Sequence, residues 1–282
     1  MTGILYVVAT PIGNLEDVSL RALRILRDVS LIAAEDTRRT ARLLQHYSIT
    51  TKTTSLHEHN EREKAAGLIE RLKAGDSIAL VSDAGTPIVS DPGRVLVAEA
   101  RAAGIRVEAI PGPSAVMAAV SASGLPADGF CFLGFPPTRS NARKKWFEVL
   151  AGEPRLVVIF EAPHRVAATI AELEAVFGPD HTVGVARELT KTHEELVVRP
   201  ISELRRLFAE PRGEFTLLIP SRTHRGRPPL ERPGPQDLTA EFVQLTKIDG
   251  LKRREALKRL SEKYAIPVNV LYAQIRSIDN EG

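Results

Sequence analysis

The chain has 282 residues, which exceeds a typical single domain, and its 43% hydrophobic and 26% charged content is ordinary for a globular protein. Its apolar runs stay short of the roughly 20 residues that cross a bilayer, and no basic region precedes its first apolar stretch. Its single cysteine, Cys131, cannot form an internal disulfide or a thiolate metal cage. We therefore expect a cytoplasmic protein without a membrane partner or a metal.

The net charge of +3 is distributed unevenly. Residues 221–282 hold 12 Lys and Arg against 8 Asp and Glu, whereas the other 220 residues hold 26 against 27. A concentrated positive charge favours a polyanionic partner, although a solvated helical surface accounts for it equally well.

Residues 1–123 alternate between strand and helix patterns. Ala65, Leu68, Ile69 and Leu72 have the i, i+3, i+4, i+7 spacing of an amphipathic helix. Continuous apolar runs, typical of buried parallel strands, occur at 4–8, 31–34, 77–81 and 107–110. This alternation predicts an N-terminal α/β domain with a mostly parallel sheet and helices on both faces.

The turn-rich segment 122–129 predicts a crossing into a second α/β domain at 124–220. One clear helix in this domain places Val166, Ile170, Leu173 and Phe177 on one face. The higher proportion of strands to helices predicts a mixed sheet. Its strand-like runs are 130–135, 155–160, 182–186, 196–198 and 215–219.

Residues 221–235 contain four arginines, four prolines and two glycines, which predicts a basic linker. Residues 236–282 return to helical periodicity and form a predicted C-terminal helical unit. Its two predicted helices, at 251–264 and 268–278, resemble a helix-turn-helix. Lys252, Arg253 and Arg254 are candidates for RNA phosphate contacts, while a dimer-stabilising helical appendage is an equal alternative.

Polar residues follow several predicted strands of the first domain, at the sheet edge where α/β proteins bind ligands. They include the turn at Pro11, the acidic pair Glu35-Asp36 with two arginines after it, and the run 55–60. A helix N-cap at Asp36 or Asn60 accounts for part of this polarity. His57 and His59 lack a third ligand at metal-site spacing, so we expect no zinc site.

The run 79–88 is the sharpest local signal, because a buried strand ends in Ser82-Asp83-Ala84-Gly85-Thr86. Asp83 can accept hydrogen bonds from a ligand hydroxyl, and Ala84 and Gly85 let a ligand approach the backbone. In the run 110–115, Ser114 is placed to cap a small-residue helix.

Taken together, these motifs resemble the tetrapyrrole methylase superfamily and, within it, the branch that methylates ribosomal RNA. AEDTRRT and HEHN indicate the RNA branch, while VSDAGTP is the loop that the superfamily shares. Nine runs occur in order as far as residue 219: VATPIGNLEDVSLRAL, AEDTRRTARLL, SLHEHN, VSDAGTPIVSDPG, IPGPSA, FLGFPP, FEAPHR, ARELTKTHEE and GEFTLLI.

The resemblance implies two α/β domains of tetrapyrrole-methylase type with S-adenosylmethionine in the cleft between them. It also implies a homodimer that 2′-O-methylates a cytidine in the decoding region of 16S rRNA, either as RNA or in the 30S subunit. The implied cofactor residues in the first domain are Pro11, Ser82, Asp83, Ala84, Gly85, Thr86, Ile88, Pro113 and Ser114. Those in the second domain are Leu133, Glu161, Ala162, Ala186, Arg187, Gly213, Glu214 and Phe215.

A ribose hydroxyl is a poor nucleophile, so a positioned base or hydrogen-bond acceptor should assist it. We take Asp36, His57 and Glu58 as candidates, with Arg38, Arg39 and His59 on the RNA. Two alternatives are a porphyrinoid methyltransferase of the same fold and a non-catalytic RNA-binding assembly factor. The first would methylate a tetrapyrrole, and the second would bind RNA without the cofactor.

Overall fold

A computed structural model describes residues 2–209, 212–221, 235–248 and 250–264, together with positions 268, 271, 272 and 275. The chain forms two compact units, Met1–His224 and Arg225–Gly282. The first unit contains two separate sheets, and its division into domains at residues 123/124 stays a prediction. The predicted linker 221–235 lies almost wholly outside the described residues. No described helix is long and apolar enough to span a membrane.

A mostly parallel first sheet was predicted, and the observed one is parallel throughout, with strand order β3-β2-β4-β1-β5. Every residue of β2 and of β4 is buried, which explains why these strands are continuous apolar runs in the sequence. The strands are β1 (Ile4–Val8), β2 (Leu31–Ala34), β3 (Thr53–Ser55), β4 (Ile78–Val81) and β5 (Arg106–Ile110).

Helices cover both faces of this sheet, which confirms the prediction. Leu26 and Leu43 pack with Ile32 on one face, and Leu72 and Leu96 pack on the other. The helices are α1 (Leu20–Asp28), α2 (Thr37–His46), α3 (Glu61–Lys73) and α4 (Arg94–Ala102), and a 3₁₀ turn (Leu15–Asp17) precedes α1.

The next helix, α5 (Ala115–Ser123), connects the two sheets. Its Val116 and Ala119 are buried against Val158 and Leu218 of the second sheet. Ser114 caps it, as predicted, by accepting a hydrogen bond from the Met117 amide. This apolar contact fixes the loops of the first sheet against the second.

The second sheet is mixed, as predicted, with strand order β6-β7-β10-β8-β9. Only β6 and β7 pair in parallel. The strands are β6 (Phe130–Phe132), β7 (Leu156–Glu161), β8 (Thr182–Arg187), β9 (Glu195–Pro200) and β10 (Phe215–Ile219). β6 is shorter than the predicted run 130–135, because Gly134 turns the backbone at φ +66° and prolines follow it.

The described residues of this part of the chain form three helices, whereas the sequence predicts one. They are α6 (Ser140–Gly152), α7 (Pro163–Phe177) and α8 (Ile201–Leu207). The prediction missed α6, in which only Phe147 and Leu150 are buried, and α8, which is two turns long. Both lack the long apolar stripe on which the prediction relies.

The C-terminal unit has its own small core, which includes Phe242, Leu257 and Leu260. Its described elements include α9 (Pro235–Val243), a π-helical turn (Gln244–Ile248) and α10 (Arg253–Tyr264). Helix α10 matches the prediction for 251–264, and α9 lies in the predicted helical unit 236–282 but was not predicted as a separate helix. The second predicted helix, 268–278, is helical at its four described positions, and its other residues lie outside the described part.

Candidate functional site

A cavity of about 410 Å³, here called the first cavity, is lined by residues of both sheets. Loops after β1, β2, β4 and β5 contribute from the first sheet. The second sheet contributes Phe135, the segment 160–163 at the end of β7, and the segment 214–216 at the start of β10. Carboxyl ends of parallel strands therefore meet a second sheet, which is a usual place for a ligand in an α/β fold.

The loop after β4 has an unusual backbone. Ile88 and Ser90 have φ angles of 77° and 68°, in the left-handed region that a β-branched residue rarely occupies. Gly85 has φ +81°, and its amide and carbonyl both bond to Thr10 of the loop after β1. Strained segments of this kind concentrate at ligand sites, so the backbone supports a binding role for this loop.

Three carboxylates form an acidic cluster in the first cavity: Glu35, Asp83 and Asp91. Glu35 accepts a hydrogen bond from the Asp83 amide at 3.3 Å. Burial is the main reason that the pKa of Glu35 is raised. Burial also raises the pKa of Asp91 to about 6; the Ser82 hydroxyl opposes this rise and the charges of Glu35 and Asp83 add to it. The cluster favours a cation as its ligand.

Sequence reasoning missed Glu35 and Asp91 as site residues. Asp36 was chosen from the acidic pair, but its carboxylate caps α2 through the Arg38 amide. It also binds the Arg38 guanidinium, which holds the pKa of Asp36 well below its usual range. The sequence could have indicated Glu35, because an acidic residue directly before a helix is an N-cap candidate. With Asp36 as the cap, Glu35 is the acid of the pair that is free to face a ligand.

A buried carboxylate outside the cavity, that of Glu61, holds the end of the loop that carries Asp91. Glu61, at the start of α3, accepts hydrogen bonds from the amides of Gly93, Val95 and Leu96, which begin α4. These donors have no partner within their own helix. Glu61 therefore anchors the end of the strained loop.

We expect Glu61→Ala to lower the free energy of unfolding by about 1–3 kcal/mol, because it strands these buried amides. Glu63→Ala is the matched control, since Glu63 is exposed on the same helix. Urea unfolding followed by circular dichroism measures both. Equal midpoints for the two variants would refute the anchoring role.

A second cavity of about 320 Å³ adjoins the first. It is lined by the turn 10–13 after β1, by residues of α2 that include Arg42, and by Lys191. Five residues line both cavities and are here called the shared wall: Ile12, Arg39, Asp83, Ala84 and Glu214.

Two ion pairs hold carboxylates of the shared wall, one in each half of the site. Arg39 lies 3.3 Å from Asp83, and Lys191 lies 2.8 Å from Glu214. The Asp83 side chain is 20% exposed, whereas that of Glu214 is 68% exposed. Although burial lowers the pKa of Lys191, its hydrogen bonds to Glu214 and Glu188 raise it overall. Lys191 is therefore a cation at neutral pH.

Close backbone contact holds one edge of the second cavity. The Asn14 amide donates to the Thr190 hydroxyl at 3.0 Å. A Cβ on Gly13 would lie 2.8 Å from the carbonyl oxygen of Leu189, which is closer than real Cβ atoms come. Glycine at position 13 is therefore what lets the loops after β1 and β8 meet.

The second-sheet side of the first cavity depends on Glu161, whose side chain is fully buried. It binds the Thr169 hydroxyl and the Ala162 amide, with Arg165 at 3.4 Å and Arg143 at 3.7 Å. Arg165 also donates to the carbonyl oxygens of Pro136 and Pro137. This network fixes the turn that places Phe135 in the cavity.

Most of the predicted cofactor residues line a cavity. The second cavity is lined by Pro11 and Ser82. Neither cavity is lined by Ile88, Pro113, Leu133, Ala186, Arg187 or Gly213. Those on the first cavity are Asp83, Ala84, Gly85, Thr86, Ser114, Glu161, Ala162, Glu214 and Phe215.

The predicted catalytic residues Asp36, His57 and Glu58 line neither cavity within the described part of the chain. His57 Nε2 lies 3.1 Å from the side-chain nitrogen Nδ2 of Asn60. The buried Nδ1 of His57 has no hydrogen-bond partner among the described residues. Asn60 binds the His57 amide and does not cap α3, contrary to the alternative considered for it. Their catalytic roles stay predictions.

The predicted RNA contacts are also divided. Arg39 lines both cavities, whereas the Arg38 side chain is 90% exposed and paired with Asp36. Glu58 and His59 are exposed. The described residues contain no group of three His, Cys, Asp or Glu that could hold a metal.

Three described basic residues of the C-terminal unit lie on the surface around the start of α10. Lys252, Arg253 and Arg254 are exposed. The Arg253 guanidinium lies over the rings of Phe242 and Tyr272, at 5.5 Å and 5.8 Å from their centroids. Part of this basic group therefore also stabilises its own unit.

Comparison with known proteins defines the class. Residues 4–205 match the family Tetrapyrrole (Corrin/Porphyrin) Methylases. The fold is similar to that of uroporphyrin-III-C-methyltransferase from Thermus thermophilus, with a TM-score of 0.56 and 19% identity over 78% of this chain and 95% of that one. The fold is also similar to that of diphthine synthase, with a TM-score of 0.62 and 18% identity over 77% of this chain and 90% of that one. The chain is a methyltransferase of tetrapyrrole-methylase type.

Closer relatives define the branch. Ribosomal RNA small subunit methyltransferase I of Vibrio cholerae is 45% identical over 273 residues, covering 95% of this chain and 93% of the relative. The protein of that name from Synechocystis is 44% identical over 282 residues, covering 99% and 100%. The chain belongs to the ribosomal RNA small subunit methyltransferase I family.

Proposed function

We propose that this protein transfers a methyl group from S-adenosylmethionine to the ribose 2′-oxygen of a cytidine in the decoding region of 16S rRNA. The observation that carries the proposal is the pair of adjoining cavities of opposite charge, which share a wall of polar side chains. The names of its relatives support ribosomal RNA as the substrate.

The first cavity suits S-adenosylmethionine in charge and in surface. Its lining holds five carboxylates and one arginine, which favours a ligand with a sulfonium and an ammonium group. Phe135, Phe160 and Phe215 offer apolar faces to an adenine ring, and Ala84 and Gly85 leave room at the backbone. Its volume of about 410 Å³ is in the range of small-molecule sites.

When bound, the cofactor supplies a methyl carbon that joins the ribose oxygen as its bond to sulfur breaks, which leaves a neutral thioether. The protein must then align the hydroxyl and accept its proton. Asp83 is our first choice as acceptor because it lies on the shared wall. The Asp36 amide at 2.9 Å and Arg39 hold its two oxygens. Asp36, His57 and Glu58 are the further candidates.

We also propose that the enzyme works on 16S rRNA or the 30S subunit as a homodimer in the cytoplasm. Lys252 and Arg254, exposed in the C-terminal unit, are available for phosphate contacts. Such contacts would add affinity that falls with salt.

Asp91 predicts a pH-dependent affinity for the cofactor. Because its pKa is about 6, it loses its negative charge as the pH falls through 6, and attraction for the sulfonium weakens. We expect the Kd for S-adenosylmethionine to rise about fourfold between pH 7.5 and 5.5, by linkage to this one group. Isothermal titration calorimetry measures it.

Asp91→Asn should flatten that profile and should also stabilise the fold at pH 7.5. An acid with a raised folded pKa stabilises the fold below its unfolded pKa, and this contribution is lost as the pH rises through 6. The gain should be on the order of 1 kcal/mol after solvent screening. Asp128→Asn, at an exposed turn, is the control. An unchanged pH profile in Asp91→Asn would remove Asp91 from the cofactor site.

The proposal is tested by transfer of radiolabel from S-adenosylmethionine to 30S subunits, naked 16S rRNA and a tetrapyrrole. We expect label in one of the two RNA substrates and none in the tetrapyrrole. Label only in the tetrapyrrole would establish the porphyrinoid alternative. RNA binding without cofactor binding would establish the non-catalytic assembly factor.

A further inference from the structure

The proposed cofactor position is the first cavity, so the ligand of the second cavity is still unassigned. Arg39 and Arg42 reach it from α2, and Lys191 reaches it from the loop after β8. These three cations face two carboxylates, Asp83 and Glu214, whereas the first cavity has the opposite balance. The second cavity therefore favours an anionic ligand.

Arg42 differs from the other two cations in its partners. Arg39 is paired with Asp83, and Lys191 with Glu188 and Glu214. Arg42 is exposed, and no carboxylate of the described residues lies within ion-pair distance of it. Because Arg39 and Arg42 are three residues apart in α2, their side chains lie on the same side of the helix. Two neighbouring guanidinium groups are well suited to a phosphate.

We propose that the second cavity holds the target nucleotide itself, with the phosphate next to its ribose bound by Arg42 and Arg39. The inference rests on the proposed function and adds the residue that orients the substrate. The shared wall then places the ribose beside Asp83 and next to the first cavity. One ligand in each cavity brings hydroxyl and methyl donor together across that wall.

The size of the cavity limits what can enter. At about 320 Å³ it is at the lower end of the range for small-molecule sites, which suits one nucleotide and excludes paired strands. Enzymes that modify a stacked nucleotide swing it out into a closely fitting pocket, at a cost of a few kcal/mol. The target must therefore leave its stack, and the phosphate contact at Arg42 helps to hold it there.

The test compares Arg42→Ala with Arg62→Ala, a matched control that removes an exposed arginine from α3. For each variant we measure kcat and KM for the RNA substrate at several salt concentrations, and the Kd for S-adenosylmethionine by calorimetry. We expect Arg42→Ala to raise KM about tenfold and to reduce the slope of log KM against log salt by about one. The cofactor Kd should stay within twofold, because Arg42 does not line the first cavity.

Arg42→Lys keeps the charge and should restore the salt slope while recovering only part of the affinity. Arg42→Ala with the KM and salt slope of Arg62→Ala would overturn the inference and leave the proposed function intact. Failure of the wild-type enzyme to methylate any RNA, although it binds the cofactor, would refute the proposed function. A raised KM of Arg42→Ala for a tetrapyrrole alone would show an anion site for that substrate and overturn the nucleotide assignment.

Discussion

Asp83→Asn is expected to lower kcat at least about 100-fold, within the range that a lost acid–base group costs. The substitution preserves the shape of the side chain and removes the charge that faces both cavities. Glu35 and Asp91 keep the first cavity acidic, so the Kd for S-adenosylmethionine should rise less than tenfold. Steady-state kinetics with saturating RNA, together with calorimetry for the cofactor, separate the two effects.

Two variants act as controls for Asp83. Asp180→Asn alters an exposed turn and should keep wild-type turnover. Glu214→Gln removes the other carboxylate of the shared wall and should cost less, because that side chain is far more exposed. A kcat above one tenth of wild type in Asp83→Asn would transfer the acceptor role to Asp36, His57 or Glu58, to be tested in turn as alanine variants.

Glu161→Ala is expected to lower the free energy of unfolding by about 3–5 kcal/mol, the usual effect of breaking a buried ion pair. The reason is that Arg143, only 11% exposed, and Arg165 would lose a fully buried partner. The turn that carries Phe135 would loosen as well, so cofactor binding should weaken. Guanidinium unfolding followed by tryptophan fluorescence measures the change, since Trp146 packs on this core.

The matched control is Glu172→Ala, which removes another carboxylate from the same arginine. Glu172 lies 2.6 Å from Arg143 but is 41% exposed, so we expect a loss of roughly 0–1 kcal/mol. Glu161→Gln keeps hydrogen-bonding capacity and should fall between the two. Equal losses of unfolding free energy in Glu161→Ala and Glu172→Ala would show that the burial of Glu161 does not determine how much this network stabilises the fold.

The centre of the first sheet was predictable because β2 and β4 are buried on both faces. A continuous apolar run such as 31–34 between helical stretches indicates a buried parallel strand. Because the strands are parallel, the loops that follow them lie at the same edge of the sheet. The small-residue loop after β4 was found for the same reason. The strain at Ile88 was not, because nothing in a side-chain pattern reports a backbone angle.

Which polar side chain faces the cavity was harder to predict. Glu35 and Asp36 are neighbours in sequence, and the cap of α2 decides that Asp36 turns away. In the sequence Glu161 is a charged residue at a strand end, and its burial depends on Arg143 of α6 and on Arg165 and Thr169 of α7. Arg42 belongs to the run AEDTRRTARLL, but its proposed contact with the substrate depends on a cavity that forms only in the folded chain.

Nucleoside mass spectrometry tests whether the enzyme methylates the ribose of a cytidine. The enzyme, S-adenosylmethionine and 30S subunits that lack the modification would be incubated, and the rRNA digested to nucleosides. We predict 2′-O-methylcytidine with wild-type enzyme and a strongly reduced yield with Asp83→Asn. Cytidine methylated on its base, or methyl groups on another nucleoside, would refute ribose methylation of cytidine by this enzyme.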